Sequence, residues 1–224
     1  MLWGDCQGVN VVEIIVIDDH DLVRFGLVRL LSDVEGIRVV AEGDSGEKAV
    51  ELAKKFEPDV MLMDVRMPGM DGIEATKKIQ RFLPDVKIIA VTACGEDPFP
   101  SRLLQAGASG YLTKDASTDE MVQAIKTVMA GQKYLTPEIA QKLALTRFDG
   151  SDNPFSDLSD REMQIATMIC SCKKVQEISD KLCLSPKTVN TYRYRVFEKL
   201  SVSSDVELTH LAIRHGLLEP QEMV

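Results

Sequence analysis

Residues 12–19 read Val-Glu-Ile-Ile-Val-Ile-Asp-Asp, a short run rich in β-branched residues that stops on two adjacent carboxylates. A run of this length and composition reads as a strand of a parallel sheet buried on both faces. The construction recurs along the chain: the apolar run at 59–63 ends at Asp64, that at 87–91 at Thr92, and that at 110–112 shortly before Lys114. In an open α/β sheet, ligands bind beyond the carboxyl ends of the strands, at the point where strand order switches. Asp18, Asp19, Asp64, Thr92 and Lys114 are therefore expected to converge on one small acidic crevice, although nearly a hundred positions separate the first from the last.

Helical patterns lie between these strands, over Asp21–Ser32, Gly46–Phe56, 72–81, 98–106 and 118–130. In the last of them Met121, Ile125 and Val128 recur at one-face spacing, as in a helix laid on a sheet. Five β/α units within residues 11–131 predict an α/β doubly wound, parallel five-stranded sheet of order 2-1-3-4-5. Strands one and three are then neighbours, which brings Asp18, Asp19 and Asp64 together.

The character changes after residue 131. Residues 132–153 read as a linker, with a short helical piece at 137–145 and then the polar, Gly- and Pro-punctuated stretch Asp149-Gly150-Ser151-Asp152-Asn153-Pro154. From 154 to 224 no strand pattern appears, and four helical stretches do: 160–171, 175–182, Pro186–Leu200 and 205–215. Ser185-Pro186 is a good N-cap and first-turn pair. Two helices joined through Cys183-Leu184-Ser185 read as a helix-turn-helix, making this a small all-α domain. Residues 1–10 fit neither domain and are left as an N-terminal extension without an assigned role.

Composition narrows the partners. With 27% charged and 45% hydrophobic residues, the chain looks like an ordinary globular protein. No apolar run approaches a membrane span of about 18 residues, and the N-terminus lacks the pattern of a secretion signal. A cytoplasmic protein without a membrane partner is expected. Five cysteines at irregular spacing suggest reduced thiols. The net charge of -9 argues against indiscriminate coating of nucleic acid, but its distribution is uneven. Residues 1–153 carry -8 and residues 154–224 only -1, with a local +4 over 173–200. An acidic front half and a basic island behind it suggest two separate tasks.

Three carboxylates at strand ends repel one another unless a cation lies among them, and Mg²⁺ suits such hard oxygen ligands. Asp64 could then act as a nucleophile towards a phosphoryl group. Lys114 and the Thr92 hydroxyl would offset charge on its oxygens. The same chemistry would serve an Mg²⁺-dependent small-molecule phosphatase, although no cap or pocket-forming insertion is evident. A solvated loop is the ordinary fate of one strand-end acid, and Lys114-Asp115 is also readable as a surface ion pair.

Four pieces of this half resemble the response-regulator receiver domain of two-component signalling. They are Val16-Ile17-Asp18-Asp19-His20, Leu62-Met63-Asp64-Val65-Arg66-Met67-Pro68-Gly69-Met70-Asp71-Gly72, Val91-Thr92-Ala93 and Tyr111-Leu112-Thr113-Lys114. The resemblance implies that Asp64 accepts a phosphoryl group from a sensor histidine kinase. It also implies that Asp19, Asp64 and the backbone carbonyl of Arg66 ligate Mg²⁺, with Asp18 nearby or bridging through water. Thr92 and Tyr111 would form the switch pair. The protein would be no enzyme beyond its own phosphoryl acceptance and hydrolysis. Gly69 and Gly72 read as an ordinary tight loop entering a helix.

On the third C-terminal helix, Asn190, Thr191 and Tyr194 share a face that Lys187 and Arg193 flank. Asn pairs well with adenine, and Arg or Lys with guanine or phosphate. Ser185 and Thr188 at the helix start suit a phosphate as well as a cap. A solvated basic face, or a surface for a protein partner, would carry the same charges. Leu158 to Glu162, Glu177-Ile178-Ser179, Leu184 to Asn190 and Lys199-Leu200 resemble the LuxR-type DNA-binding domain. With a receiver in front, that is the NarL/FixJ class. The stretch Thr188 to Arg195 is similar to the GacA/UvrY group of global regulators, and it brings Arg195 into the expected contact set. This implies double-stranded DNA as a partner, a hybrid-type sensor kinase, homodimerisation on phosphorylation and small regulatory RNA genes as targets. One departure is Cys172, where this family has Gly after the first helix. A left-handed cap would be strained there, so the helix is expected to end differently or Cys170 and Cys172 to pack inward.

Overall fold

The computed structural model of the chain describes residues 11–92, 100–137, 139–141, 143, 154–215 and 217. The expected N-terminal extension, most of the expected linker and the last residues lie outside that set. The chain splits into two units, one holding the sheet and the other the C-terminal helices.

The sheet is built from β1 (Val12–Ile17), β2 (Ile37–Gly43), β3 (Val60–Asp64), β4 (Lys87–Thr92), β5 (Gly110–Thr113) and β6 (Tyr134–Leu135). Every pair is parallel and the order is β2-β1-β3-β4-β5-β6. The expected five-strand order is present. The short sixth strand lies at residues read as linker: Gly110 pairs with Tyr134 and Tyr111 with Leu135. Two residues are too few to show an alternation, so no periodicity announces this strand.

Side chains alternate across a strand, and the two faces of β1 show it. Ile14 and Val16 join one core with Leu27 and Leu31 of α1 (Asp21–Ser32) and Met121, Ile125 and Val128 of α5 (Thr118–Met129). Ile15 and Ile17 join the opposite core with Ala49 and Leu52 of α2 (Gly46–Phe56) and Ala75 and Ile79 of α3 (Gly72–Phe82). Between α3 and α5 lies α4 (Pro100–Ala106). All five residues of β3 are buried. Each fully buried Val, Leu or Met there contributes roughly 1.5–3 kcal/mol, which fixes the central strand and the depth at which it ends.

In the C-terminal unit a 3₁₀ turn (Pro154–Asp157) precedes α6 (Asp160–Cys170), α7 (Val175–Lys181), α8 (Pro186–Leu200) and α9 (Asp205–Arg214). Phe155, Ile165, Ile178, Val189, Val196 and Leu208 form its centre. Ser159 and Glu162 cap α6 reciprocally. The Glu162 carboxylate also accepts from Lys199 Nζ at 2.7 Å, joining the ends of α6 and α8.

The first of these helices keeps the left-handed termination that the sequence argued against. Cys172 has φ 57°. Its N–H donates to Ile169 O at 2.9 Å, and the Lys173 N–H donates to Met168 O at 3.0 Å. This is a Schellman ending, which satisfies two otherwise orphaned carbonyls. Cys183 (φ 52°) ends α7 in the same way. Of the pair expected to pack inward, Cys170 is buried and Cys172 is exposed. A left-handed L-residue costs about 1–2 kcal/mol, part of which glycine would return as unfolded-chain entropy. Cys172→Gly is therefore expected to stabilise this unit by about 0.5–1 kcal/mol. Urea unfolding followed by helical circular dichroism measures it, and a loss of stability would show that the cap is unstrained.

Candidate functional site

The crevice follows from strand order. In the β1–β3 pair Ile17 lies opposite Met63, so the residues just past β1 meet the last residue of β3. Asp18 and Asp64 are both buried there. Lys114 is delivered by the β4–β5 pair: its N–H donates to Thr92 O at 2.7 Å. Its Nζ then lies 2.8 Å from both Asp18 Oδ2 and Asp64 Oδ2. Thr92, also buried, ends β4 one residue beyond the partner of Asp64. Tyr111 is buried within β5.

The backbone around the carboxylates is held in place. Arg24, nearly buried, donates from Nη1 to Asp18 O at 2.8 Å and from Nη2 to Asp21 Oδ1 at 2.6 Å. Asp18 Oδ1 accepts from the His20 N–H at 2.9 Å. Asp64 Oδ1 accepts from the Arg66 N–H at 3.2 Å. The Arg66 carbonyl was the expected ligand, and it is the amide of that residue that is seen bonding. From α2, Glu47 accepts from the Met70 N–H at 3.0 Å and holds the loop after Asp64. The two loop glycines have different reasons. Gly69 has φ +71°, a turn requirement, whereas a Cβ on Gly72 would come 2.2 Å from Asp64 O. Only a bare Cα lets α3 start against the carbonyl of Asp64.

Ligating atoms of Asp18, Asp19, His20 and Asp64 lie within 4.8 Å of one another. Asp18 Oδ2 is met by Lys114 Nζ at 2.8 Å and Asp19 Oδ1 by His20 Nδ1 at 2.7 Å. Carboxylate oxygens brought this close together suit a hard divalent cation. His20 is the member whose place in this cluster the sequence reading did not assign. Its adjacency to Asp18-Asp19 was the available signal.

Burial pushes the Asp64 carboxyl up to about 6; the bond from Lys114 opposes this and the nearby Asp18 charge adds to it. Burial pulls Lys114 down, but its bonds to Asp18 and Asp64 outweigh that and leave it above the ordinary lysine value.

On α8, Ser185 accepts from the Thr188 N–H at 3.1 Å, and the two hydroxyls lie 2.8 Å apart. Lys187, Thr191, Tyr194 and Arg195 are exposed, and Thr188 and Asn190 are half-buried. The Thr191 hydroxyl donates to Lys187 O at 3.0 Å. Arg195 lies over the Tyr192 ring. Arg193, of the expected set, holds Asp205 of α9 with its guanidinium at 2.8 and 2.6 Å and covers the Phe197 ring.

Residues 14–126 match the response regulator receiver domain family, and residues 156–212 match the bacterial regulatory proteins of the luxR family. The chain belongs to the two-component response regulators with a luxR-type DNA-binding output. The regulator is 60% identical over 210 residues to the response regulator GacA of Pseudomonas aeruginosa, covering 93% of this chain and 98% of that one. It is 50% identical over 214 residues to the response regulator UvrY of Escherichia coli, covering 95% and 98%. Among solved structures it is similar to RcsB of Salmonella enterica bound to the promoter rprA in the presence of the phosphomimetic BeF₃⁻. That match has a TM-score of 0.64 at 25% identity, over 90% of this chain and 98% of that one. The regulator is thus a DNA-binding regulator of transcription. Among its described residues no helix is long and apolar enough to cross a membrane.

The raised pKa of Asp64 has a consequence for stability. A carboxyl whose folded pKa lies above its unfolded value favours folding fully below the unfolded value, and that contribution is lost as pH rises through the folded one. For Asp64 the window runs from about 4 to about 6. In metal-free buffer, Asp64→Asn is expected to match wild type near the lower end and to be more stable by about 1–2 kcal/mol above the window. Thermal melts across pH in EDTA decide it, and an equal difference at every pH would show that Asp64 does not titrate there.

Proposed function

We propose that Asp64 is the phosphoryl acceptor of this regulator and that its phosphorylation governs DNA binding through α8. The supporting observation is the buried Asp64 carboxylate, held by Lys114 at 2.8 Å with the carboxylates of Asp18 and Asp19 beside it. The donor is a sensor histidine kinase, of hybrid type. An Asp64 oxygen attacks the phosphorus in line, the bond to the donor histidine nitrogen breaks, and that nitrogen takes up a proton. Asp18, Asp19, Asp64 and the Arg66 carbonyl would hold Mg²⁺, which when bound supplies positive charge to the phosphoryl oxygens. Lys114 offsets the same charge from the other side, and the Thr92 hydroxyl donates to a phosphoryl oxygen. Tyr111, buried in the neighbouring strand, is the second half of the switch. The chemistry ends with self-catalysed hydrolysis, without turnover of a separate substrate.

The functional divisions are a receiver at 11–131, a linker at 132–153 and a LuxR-type domain at 154–224, acting in the cytoplasm as a homodimer once phosphorylated. On DNA, Ser185, Lys187 and Thr188 meet phosphates, and Asn190, Thr191, Tyr194 and Arg195 present the reading face in the major groove. Arg193 serves as a positioning residue that ties α8 to α9. The resemblance to the GacA/UvrY group implies small regulatory RNA genes as the activated output.

Asp64→Asn is expected to abolish labelling by acetyl phosphate with Mg²⁺ while leaving the circular dichroism spectrum unchanged. Persistent labelling, located by mass spectrometry, would remove Asp64 from the acceptor role. For the output, Lys187→Ala should weaken binding to all duplexes alike and lower the salt slope by about 1. Asn190→Ala should instead cost about 1–3 kcal/mol on the preferred site and little on random DNA. Fluorescence anisotropy at several salt concentrations separates the two, and identical losses on both duplexes from both variants would refute the division.

A further inference from the structure

The C-terminal unit holds a cavity of about 560 Å³ between the end of α6, the start of α7, one side of α8 and the start of α9. Its floor is core: Ile169, Ile178 and Val189 are buried, and Val175 packs against them. On the α9 side the cavity meets Val206, which is 66% exposed. The volume lies within the range of small-molecule sites, about 300–1,000 Å³, and such sites are mainly apolar with a few polar groups that set orientation.

The rim is charged, and its charges do not cancel. Asp205 is the one carboxylate among the lining residues, and both its oxygens are taken by Arg193, at 2.8 and 2.6 Å. Lys173 and Lys174 line the cavity as well, both exposed, and among the described residues neither is paired with a carboxylate. Glu177, the acid closest to them in sequence, lies outside the lining and accepts from the Lys174 N–H at 2.7 Å. Two ammonium groups thus carry uncompensated positive charge beside an apolar floor.

We propose that this cavity binds an amphipathic carboxylate, with its apolar chain on Ile169, Ile178 and Val189 and its head group taken by Lys173 and Lys174. The two oxygens of a carboxylate can each accept from one ammonium, and the floor gains what it loses by being wet. Duplex DNA would engage the lysines but leave the floor in water, and a cavity walled by four helix segments admits a small molecule more readily than a partner's helix. The site is separate from the crevice at Asp64 and does not depend on how that crevice is read. Val189 and Arg193 bring one side of α8 against the bound molecule, and its head group cancels a positive charge of the basic island at 173–200. Occupancy therefore weakens DNA binding, a consequence that alone rests on α8 as the helix that contacts DNA.

The test titrates decanoate, decanol and decylamine, each below its micelle concentration, into the full chain by calorimetry. Methyl spectra of isoleucine and valine are recorded in parallel. The expected result is one-site binding of decanoate that shifts the methyls of Ile169, Ile178 and Val189. It should be at least about tenfold tighter than decanol, with decylamine weaker still. The double variant Lys173→Gln/Lys174→Gln, folded by circular dichroism, should bind decanoate no better than decanol. Equal affinity of the wild type for decanoate and decanol, or shifts confined to methyls of the receiver, would overturn the proposal. Saturating decanoate should also lower the affinity for a promoter duplex by about threefold at low salt, read by fluorescence anisotropy. Undiminished DNA affinity with the methyl shifts present would overturn the coupling to α8 and keep the site.

Discussion

Lys114 bridging Asp18 and Asp64 is the contact on which the crevice depends. Two buried carboxylates side by side would be costly unless a cation is shared between them. The lysine supplies that cation from β5, two strands away from β3. The pairing of β4 with β5 thus sets the charge at the end of β3 as well as the sheet hydrogen bonds. A shift of one residue in β5 would turn the lysine to the other face of the sheet. The apolar cores on both faces make such a shift expensive, so the packing of Leu112 and Ile125 indirectly secures the electrostatics of Asp64.

The carboxyl ends of the strands, by contrast, are finished by loops and small contacts. Arg24 anchors the carbonyl of Asp18, Glu47 anchors the amide of Met70, and Gly72 lets α3 approach Asp64 O. Each of these binds backbone, leaving the carboxylate oxygens to other partners. The crevice is rigid in its main chain and charged in its side chains, an arrangement suited to receiving a highly charged group without rebuilding the site.

Much of this was legible because periodicity and topology are strong signals. Apolar runs ending on polar residues gave the strands, the parallel order gave the convergence of Asp18, Asp64 and Lys114, and Ser185-Pro186 gave the start of α8. What escaped was decided by single tertiary contacts. Tyr134–Leu135 is too short to carry a pattern and becomes a strand only because β5 offers it an edge. The bond from Arg193 to Asp205, twelve residues on, has no spacing to announce it. At Cys172 local strain argued against a left-handed cap, and the bonds to Ile169 and Met168 outweighed it.

The hydroxyl of Thr191 gives its proton to the carbonyl of Lys187, one turn back along α8. In that state its oxygen offers only lone pairs outward. Phosphate oxygens also offer only lone pairs, so the two have nothing to exchange while the internal bond stands. The amino groups of adenine and cytosine in the major groove do present hydrogens. A side chain that looks ambivalent on paper has been given a polarity by its own helix: while that bond stands, it can accept a hydrogen and has none to give.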